Sequence, residues 1–444
     1  MEIAAVGGYN EVGKNMTALK IGDEAVVLDM GFHLPKIIDF EEEGGDRRTV
    51  TTDSLRSIGA IPEDRIIDAW KTKVRAIALG HCHLDHIGAA PYLGSSFPGA
   101  LVLGTPYTLE VLKAMMDDEL RFDNKLKTVQ PNSSLKISDN IEVEFINMTH
   151  STLQSTMMAV HTKEGTILYA NDFKFDNHPV VGSKANIERL RELGKEDRVK
   201  ALIVESIYAN DERKTPSEKV AREMLKDLFM STENEQNLIV ATTFASHIAR
   251  LKSIIDFGEA INRKIVILGR SMHKYITSAE SLNLVNFSDR AEIIGYAGQI
   301  KRKLKEVEKQ GRSKYLVICT GGQGEPGSVL QKMAADQLSF EFQKEDHVIF
   351  SNRVIPVEVN RMHREALEKR LRDKKARIFS NIHVSGHAGR EDLRDLIKMT
   401  SPEHIIPAHG EPQMLSALGE LSEELGYTLG VDIHIMGNGK IITV

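Results

Sequence analysis

His81, Cys82, His83, Leu84, Asp85 and His86 place three imidazoles and a carboxylate within six residues. In an extended segment alternate side chains point the same way, so His81 and His83 reach one point in space. A turn just after them makes Asp85 and His86 face a second point nearby. Such nitrogen and oxygen donors suit Zn²⁺ or a similar divalent ion. Cys82 points away from its neighbours and is expected to pack in the wall. The plainer alternative is a His-rich surface loop. Against it stands the position of the cluster. It follows the apolar run Val74 to Gly80, which reads as a buried strand, and precedes Ile87-Gly88-Ala89-Ala90-Pro91, a turn into a helix. Strand ends are where α/β proteins place their sites.

Other apolar runs end in the same way. His150 comes just past Ile141-Glu-Val-Glu-Phe-Ile146, Asp172 closes Gly165-Thr-Ile-Leu-Tyr-Ala-Asn171, Glu205 closes Ala201-Leu-Ile-Val204, and His409 follows His404-Ile-Ile-Pro-Ala408. Lone histidines are generally structural, but here they recur at strand ends beside a dense cluster. The expected arrangement is two three-residue sets, His81/His83/His150 and Asp85/His86/His409, with the Asp172 carboxylate bridging. Two ions about 3.5–4 Å apart would activate a shared water and clamp a phosphoryl oxygen. Asp29 ends Ala25-Val-Val-Leu28 and is expected to serve structurally, capping a turn, with a direct part in chemistry as the alternative.

At 444 residues, 41% hydrophobic and 27% charged, the chain has room for two or three ordinary globular domains. Two cysteines, Cys82 and Cys319, form no disulfide framework, which points to a reducing cytoplasm. No apolar run is long enough to span a bilayer, and the N-terminus shows no basic leader, so no membrane partner is expected. The net charge is −6, but residues 208 to 380 hold 30 Lys/Arg against 23 Asp/Glu, a net of +7, and the remainder a net of −13. A basic middle third on an acidic body is compatible with a polyanion docking locally.

Residues 1 to 35 read as paired strands, and 36 to 65, with the acidic run at 41–43, as a polar surface insertion. From about 208 the texture becomes a βαβ rhythm with a parallel sheet of its own. The Gly-rich turn Thr320 to Gly327 has neither a P-loop Lys-Ser/Thr nor a GxGxxG fingerprint, so nucleotide binding is not expected. After about 380 the first texture returns, and the chain is expected to close on a hairpin. The domains are therefore set at 1–207, 208–380 and 381–444, the first and last belonging together.

His81-x-His83-x-Asp85-His86, then His150, Asp172 and His409, resembles the metallo-β-lactamase superfamily. Glu205, the basic insertion, His387 in Ser385-Gly386-His387 and His409 in Pro407-Ala408-His409-Gly410-Glu411 resemble the β-CASP nuclease branch. Phe244-Ala245-Ser246, Gly269-Arg270-Ser271-Met272, Gly324-Glu325-Pro326-Gly327 and His383-Val384-Ser385-Gly386-His387-Ala388 resemble the ribonuclease J family, in its short archaeal form without an extra C-terminal domain or N-terminal KH domains. The resemblance implies an α/β fold, an αββα metallo-β-lactamase sandwich with an inserted parallel α/β β-CASP domain. It also implies two divalent ions per chain, for which Zn²⁺ fits best, single-stranded RNA as substrate and a homodimer. The activity implied is 5′-to-3′ exoribonuclease with some endonuclease cutting. Catalytic roles fall to Asp85, Glu205 and His387, with His387, oriented by Glu205, as proton donor to the leaving 3′-oxygen. Ser246, His383, Ser385, Gly386 and His387 are implied as a pocket for a 5′-monophosphate, Ser246 being a plain N-cap in the alternative. Arg270 receives no role, because His273-Lys274-Tyr275 departs from the family's usual continuation.

Three rival readings remain at this level. One is an RNA 3′-processing endonuclease of the cleavage-factor type. Another is a lactamase-fold hydrolase of small esters or thioesters, which would need neither the basic insertion nor Glu205 and His387. The third, a non-catalytic scaffold, conflicts with the full set of seven candidate ligands.

Overall fold

The computed structural model describes the chain except residues 43, 46–48, 117–121, 197–198, 234 and 356–357. It divides into two compact units, Met1–Asn177 with Ser183–Thr215 and Gly386–Val444, and His178–Gly182 with Pro216–Ser385. The first boundary thus falls at Thr215 rather than 207. Thr215 N donates to Asp392 Oδ2 (2.8 Å) and Tyr208 bridges Gly389, which ties 208–215 to the helix Arg390–Thr400.

The strands in chain order are β1 (Glu2–Gly7), β2 (Met16–Ile21), β3 (Glu24–Leu28), β4 (Val74–Leu79), β5 (Leu101–Gly104), β6 (Leu126–Thr128), β7 (Ser133–Lys136), β8 (Glu142–Asn147), β9 (Thr156–Thr162), β10 (Gly165–Ala170) and β11 (Val199–Glu205). Then follow β12 (Ile239–Thr242), β13 (Lys264–Leu268), β14 (Ala291–Ile294), β15 (Tyr315–Cys319), β16 (His347–Phe350), β17 (Arg377–Phe379), β18 (His404–Ala408) and β19 (Ile441–Thr443). The first unit holds two sheets, β19-β1-β2-β3-β4-β5-β6 and β18-β11-β10-β9-β8-β7.

Their facing sides form one apolar core, from Ile3, Leu19, Val26, Leu28 and Ala76 in the first sheet to Phe145, Met158, Ile167, Ile203 and Ile406 in the second. Neighbouring residues of the second sheet point the other way. Met157, Leu168, Leu202, Val204 and Ile405 pack with Leu190 and Leu193 of helix Ile187–Glu196, Leu393 and Leu396 of Arg390–Thr400, and Leu418 and Leu421 of Pro412–Glu424. Alternate side chains serve opposite faces, so strands covered on both sides read as continuous apolar runs. Helix Pro106–Met115 packs against β5 of the other sheet. The unit is an αββα sandwich. In its second sheet β8 and β10 are each antiparallel to β9, and β10, β11 and β18 are mutually parallel. The C-terminal ends of β8, β10, β11 and β18 therefore share one edge.

The second unit is built on an all-parallel sheet, β14-β13-β15-β12-β16-β17. One face is covered by Ile300, Leu304 and Val307 of helix Ala297–Gln310 and by Leu367 and Leu371 of Glu358–Asp373.

Two sequence expectations change. Residues 36–65 are not loop throughout: Leu34–Glu42 and Thr52–Ser57 are helices, the second held where Arg56 meets the fully buried Asp64 at 2.8 Å. Glu43 of the acidic run lies outside the described residues. The C-terminal hairpin does not form. Instead β19 adds to β1, and Ile433 bridges Ile405.

Candidate metal centre

The loop from His81 to His86 leaves β4 and is clamped through its backbone. Asn15 N donates to Asp85 O (3.0 Å), Met30 N to His86 O (2.6 Å) and Phe32 N to Leu84 O (2.9 Å). Gly31 lies so close that a Cβ there would stand 1.6 Å from Asp85 O, which fixes the residue type at that position. His150 follows β8, Asp172 follows β10, Glu205 closes β11 and His409 follows β18, all at the shared edge.

The structure gathers these residues into two adjoining groups, His81, His83, His150 and Asp172, and Asp85, His86, Asp172 and His409, with the donor atoms of each within 4.8 Å of one another. His83 Nδ1 lies 3.0 Å from His81 Nε2 and 3.1 Å from His150 Nε2. Asp172 belongs to both groups. Its Oδ2 is 3.4 Å from His81, 3.2 Å from His86 and 3.5 Å from His150, and its Oδ1 is 3.2 Å from His409 Nε2. Asp85 Oδ2 stands 3.6 Å from His86 Nε2 and 3.5 Å from His409 Nε2.

The outward-facing ring nitrogens are also held. His150 Nδ1 donates to Gly386 O (2.7 Å) and His86 Nδ1 to Asp29 Oδ2 (2.7 Å), which turns the Nε2 of each toward the cluster. Asp29 Oδ1 accepts from Gly80 N (2.9 Å), so Asp29 caps the strand end and orients His86 at once. Gly13 N donates to His409 Nδ1 (3.0 Å), so in the neutral ring Nε2 carries the proton. The group around His83 is therefore better prepared for a cation than the one around His409, which must release a proton first.

Burial pushes the basicities of His83 and His150 well down, and their neighbouring imidazoles push further. His81 is lowered by burial and by His86. These rings stay neutral, the form a metal requires. His86 goes the other way: burial opposes its charge, but the carboxylates of Asp172, Asp85 and Asp29 outweigh it and raise it well above the usual value. Burial likewise opposes the charge of Asp172, and His86, His409 and His387 overcome it and hold it well below the carboxylate range. Among the described residues Asp172 Oδ1 and His409 Nε2 are buried without a hydrogen-bond partner. Orphaned donor atoms among neutral imidazoles and an ionised carboxylate fit divalent cations.

Glu205 and His387 form a third group with Asp172. His387 Nδ1 lies 2.6 Å from Glu205 Oε2 and 3.9 Å from Asp172 Oδ1. The other Glu205 oxygen accepts from Phe173 N (2.9 Å), so the fully buried carboxylate is fixed at both ends. Burial opposes a charged His387, but Glu205 and then Asp172 raise it to about 9.

The remaining expected residues are divided between the units. Ser246, His383 and Ser385 lie in the second, Gly386 and His387 in the first. Ser246 is not an N-cap: the helix Ile248–Ala260 is capped at His247, one residue later. His383 stands beside the Phe244 ring (6.4 Å) and 3.5 Å from Arg250 Nη1. The Gly386 carbonyl is engaged by His150, and a Cβ there would meet that ring at 2.9 Å. Cys82 is buried, its Sγ 3.0 Å from Thr152 Oγ1. Sequence reasoning missed Gly13 and Asn15, whose side-chain Nδ2 lies 3.2 Å from His86 Nε2. Their one signal is the glycine pair and turn closing β1.

Family models match in three places: the metallo-β-lactamase superfamily over residues 9–210, the ribonuclease J β-CASP domain over 236–366, and the Zn-dependent metallo-hydrolase RNA specificity domain over 372–436. The ribonuclease J of Methanocaldococcus jannaschii is 42% identical over all of this chain and 98% of its own length. The chain belongs to the ribonuclease J family. The family's Pyrococcus abyssi member is 43% identical over the whole chain and 97% of its own length. The Helicobacter pylori member is 32% identical over 93% of this chain and 56% of its own. A crystal structure of an Enterococcus faecalis protein of unknown function shares the fold at a TM-score of 0.65 and 16% identity, covering 100% of this chain. Among the described residues no helix is long and apolar enough to cross a membrane.

Proposed function

We propose that this chain is a metal-dependent 5′-to-3′ exoribonuclease acting on single-stranded RNA, with two Zn²⁺ ions as cofactors and some endonucleolytic capacity. The carrying observation is the pair Glu205–His387, 2.6 Å apart and adjoining an Asp172 shared by two groups of candidate ligands. His81, His83 and His150 would hold one ion and Asp85, His86 and His409 the other, with Asp172 between them. Bound there, a pair of divalent ions supplies Lewis acidity toward a phosphodiester and makes water acidic enough to act as a nucleophile.

The chain's own groups handle the protons. Glu205 receives the Nδ1–H of His387 and keeps the imidazole charged, so Nε2–H is poised to protonate the departing 3′-oxygen. Such positioned proton transfer contributes about 10²–10⁴-fold. Asp85, whose side chain is 17% exposed, would take up the proton lost by the attacking water. In the second unit, Ser246, His383 and Ser385 are assigned to a 5′-monophosphate. The Phe244 and Arg250 contacts that tie His383 to the helix start support this reading.

The deciding experiment feeds 5′-monophosphate and 5′-triphosphate RNAs to wild type and to His83→Ala. Mononucleotides released from monophosphorylated ends by wild type alone are expected. Internal cuts without terminal release would favour the cleavage-factor type of endonuclease. Ser246→Ala is expected to erase the preference for monophosphorylated ends while internal cutting persists. Loss of both together would sink the pocket. A homodimer in the cytoplasm is the state we propose for the enzyme; light scattering at micromolar concentration tests the dimer.

A further inference from the structure

In the second unit the edge strand β14 gives way, through Gly295, to the helix Ala297–Gln310. Tyr296, its N-cap, is 62% exposed, and its ring leans on His273 with centroids 6.1 Å apart. The helix buries Ile300, Lys303, Leu304 and Val307. Helical spacing then sets Lys301, Lys305 and Lys309 in one outward row about 12 Å long, with Arg302 beside it. All four are exposed, and none has an ion pair or side-chain hydrogen bond among the described residues.

The neighbouring acids are already committed. Glu292 and Glu306 hold Lys303 at 2.6 and 2.8 Å, and Glu308 holds Arg312. The row therefore keeps its positive charge, whereas nearby Arg290 is neutralised by Asp256 and Glu259.

We infer that this face is a track for the body of a single-stranded RNA, with Tyr296 stacking on a base and Lys301, Arg302, Lys305 and Lys309 meeting successive phosphates. An exposed ring heading a row of unpaired cations is the combination that holds single strands without sequence preference. A membrane surface would need apolar side chains on the same face, and Ile300, Leu304 and Val307 are turned inward. An acidic peptide would have no use for the ring. The inference rests on the ribonuclease reading and adds a further contact with the substrate, in the unit that does not hold the candidate metal ligands.

The test uses the metal-loaded full chain and a hydrolysis-resistant phosphorothioate RNA of about 30 nucleotides, with fluorescence anisotropy read across a salt series. Replacing all four cations by Gln is expected to weaken binding at least tenfold. It should also flatten the slope of log affinity against log salt by about 3, near 0.7 for each lost phosphate contact. Tyr296→Ala is expected to cost roughly tenfold and Tyr296→Phe almost nothing. Hydrolysis of bis(p-nitrophenyl) phosphate by these variants should equal that of wild type. Wild-type affinity and salt slope in the Gln variant, while the parent cleaves RNA, would overturn the track and leave the face to an acidic protein. A parent that neither binds nor cleaves RNA would instead sink the ribonuclease reading, and the track with it.

Discussion

Asp29 and Gly386 reach the candidate metal centre through the imidazole nitrogens that face away from it. Asp29 receives the Nδ1–H of His86 and, with its second oxygen, the amide of Gly80. Asp29→Asn keeps the shape but removes the charge that fixes the tautomer. It is expected to lower metal affinity about 10–100-fold, measured by chelator competition, with the circular dichroism spectrum unchanged. Glu205→Gln separates two roles that geometry alone leaves adjacent, since Glu205 and His387 also form a group with Asp172. If the pair moves protons, kcat falls about 10²–10⁴-fold while two metals per chain are retained. A matching loss of metal would make Glu205 a ligand instead.

The strands deliver their residues to one edge by a repeated device. Asp29, Asp172 and His409, each just past a strand, adopt φ of 60°, 44° and 48°. For a non-glycine residue the left-handed region costs about 1–2 kcal/mol, and here it turns the chain sharply so that the side chain lies over the sheet edge. Gly31 is the complementary device, a missing side chain that lets β3's continuation press on the loop of His81–His86. Gly31→Ala is expected to displace Asp85 and cut metal affinity by more than any single second-sphere change, as seen by calorimetric titration. The candidate ligands drew notice in the sequence because His81, Asp172 and His409 come at or just past the ends of apolar runs, with His83, Asp85 and His86 packed beside the first of them. Gly13, Asn15 and the Gly386 carbonyl did not, because they act through backbone groups or across 70 or more residues. The short helix Thr52–Ser57 was hidden too, being held by the Arg56–Asp64 pair rather than by an apolar stripe.

Elements are also joined by charge. Glu144 on β8 accepts from Arg189 Nε (2.9 Å) and Nη2 (3.1 Å), and pairs with His161 Nε2 (2.8 Å). Burial alone would raise its basicity, but the hydrogen bonds from His161 and Arg189 and the Arg189 charge bring it down to about 2. A carboxylate held below its unfolded value contributes stability that is complete above about pH 4.5 and lost as pH falls toward 2. Glu144→Gln is expected to lose on the order of 2 kcal/mol at pH 7 and to narrow the gap to wild type near pH 3, read from urea unfolding. A gap independent of pH would mean that the pair contributes by packing alone.

At the scale of the whole molecule, all seven candidate ligands lie in one unit. His81, His83, Asp85, His86, His150 and Asp172 come from its first segment and His409 from its last, while Pro216–Ser385 contributes none. The last segment of the first unit is separated from the others by the 170 residues Pro216–Ser385, which fold on a sheet of their own. Cations bound across β4, β8, β10 and β18 would cross-link the two parts of the sandwich through residues of that unit alone. A ligand that binds only the folded form stabilises it by RT ln(1 + [L]/Kd), about 4 kcal/mol at a thousandfold excess over Kd. Chelation should therefore lower the melting of the sandwich by several degrees and leave the parallel unit where it was. In calorimetry this appears as one transition splitting into two, or as two moving apart. Hydrogen exchange assigns them: faster exchange on EDTA treatment is expected at β10, β11 and β18 and not at β12, β13 and β15. Uniform acceleration in both units would show that they unfold as one cooperative body, with the metal centre holding both.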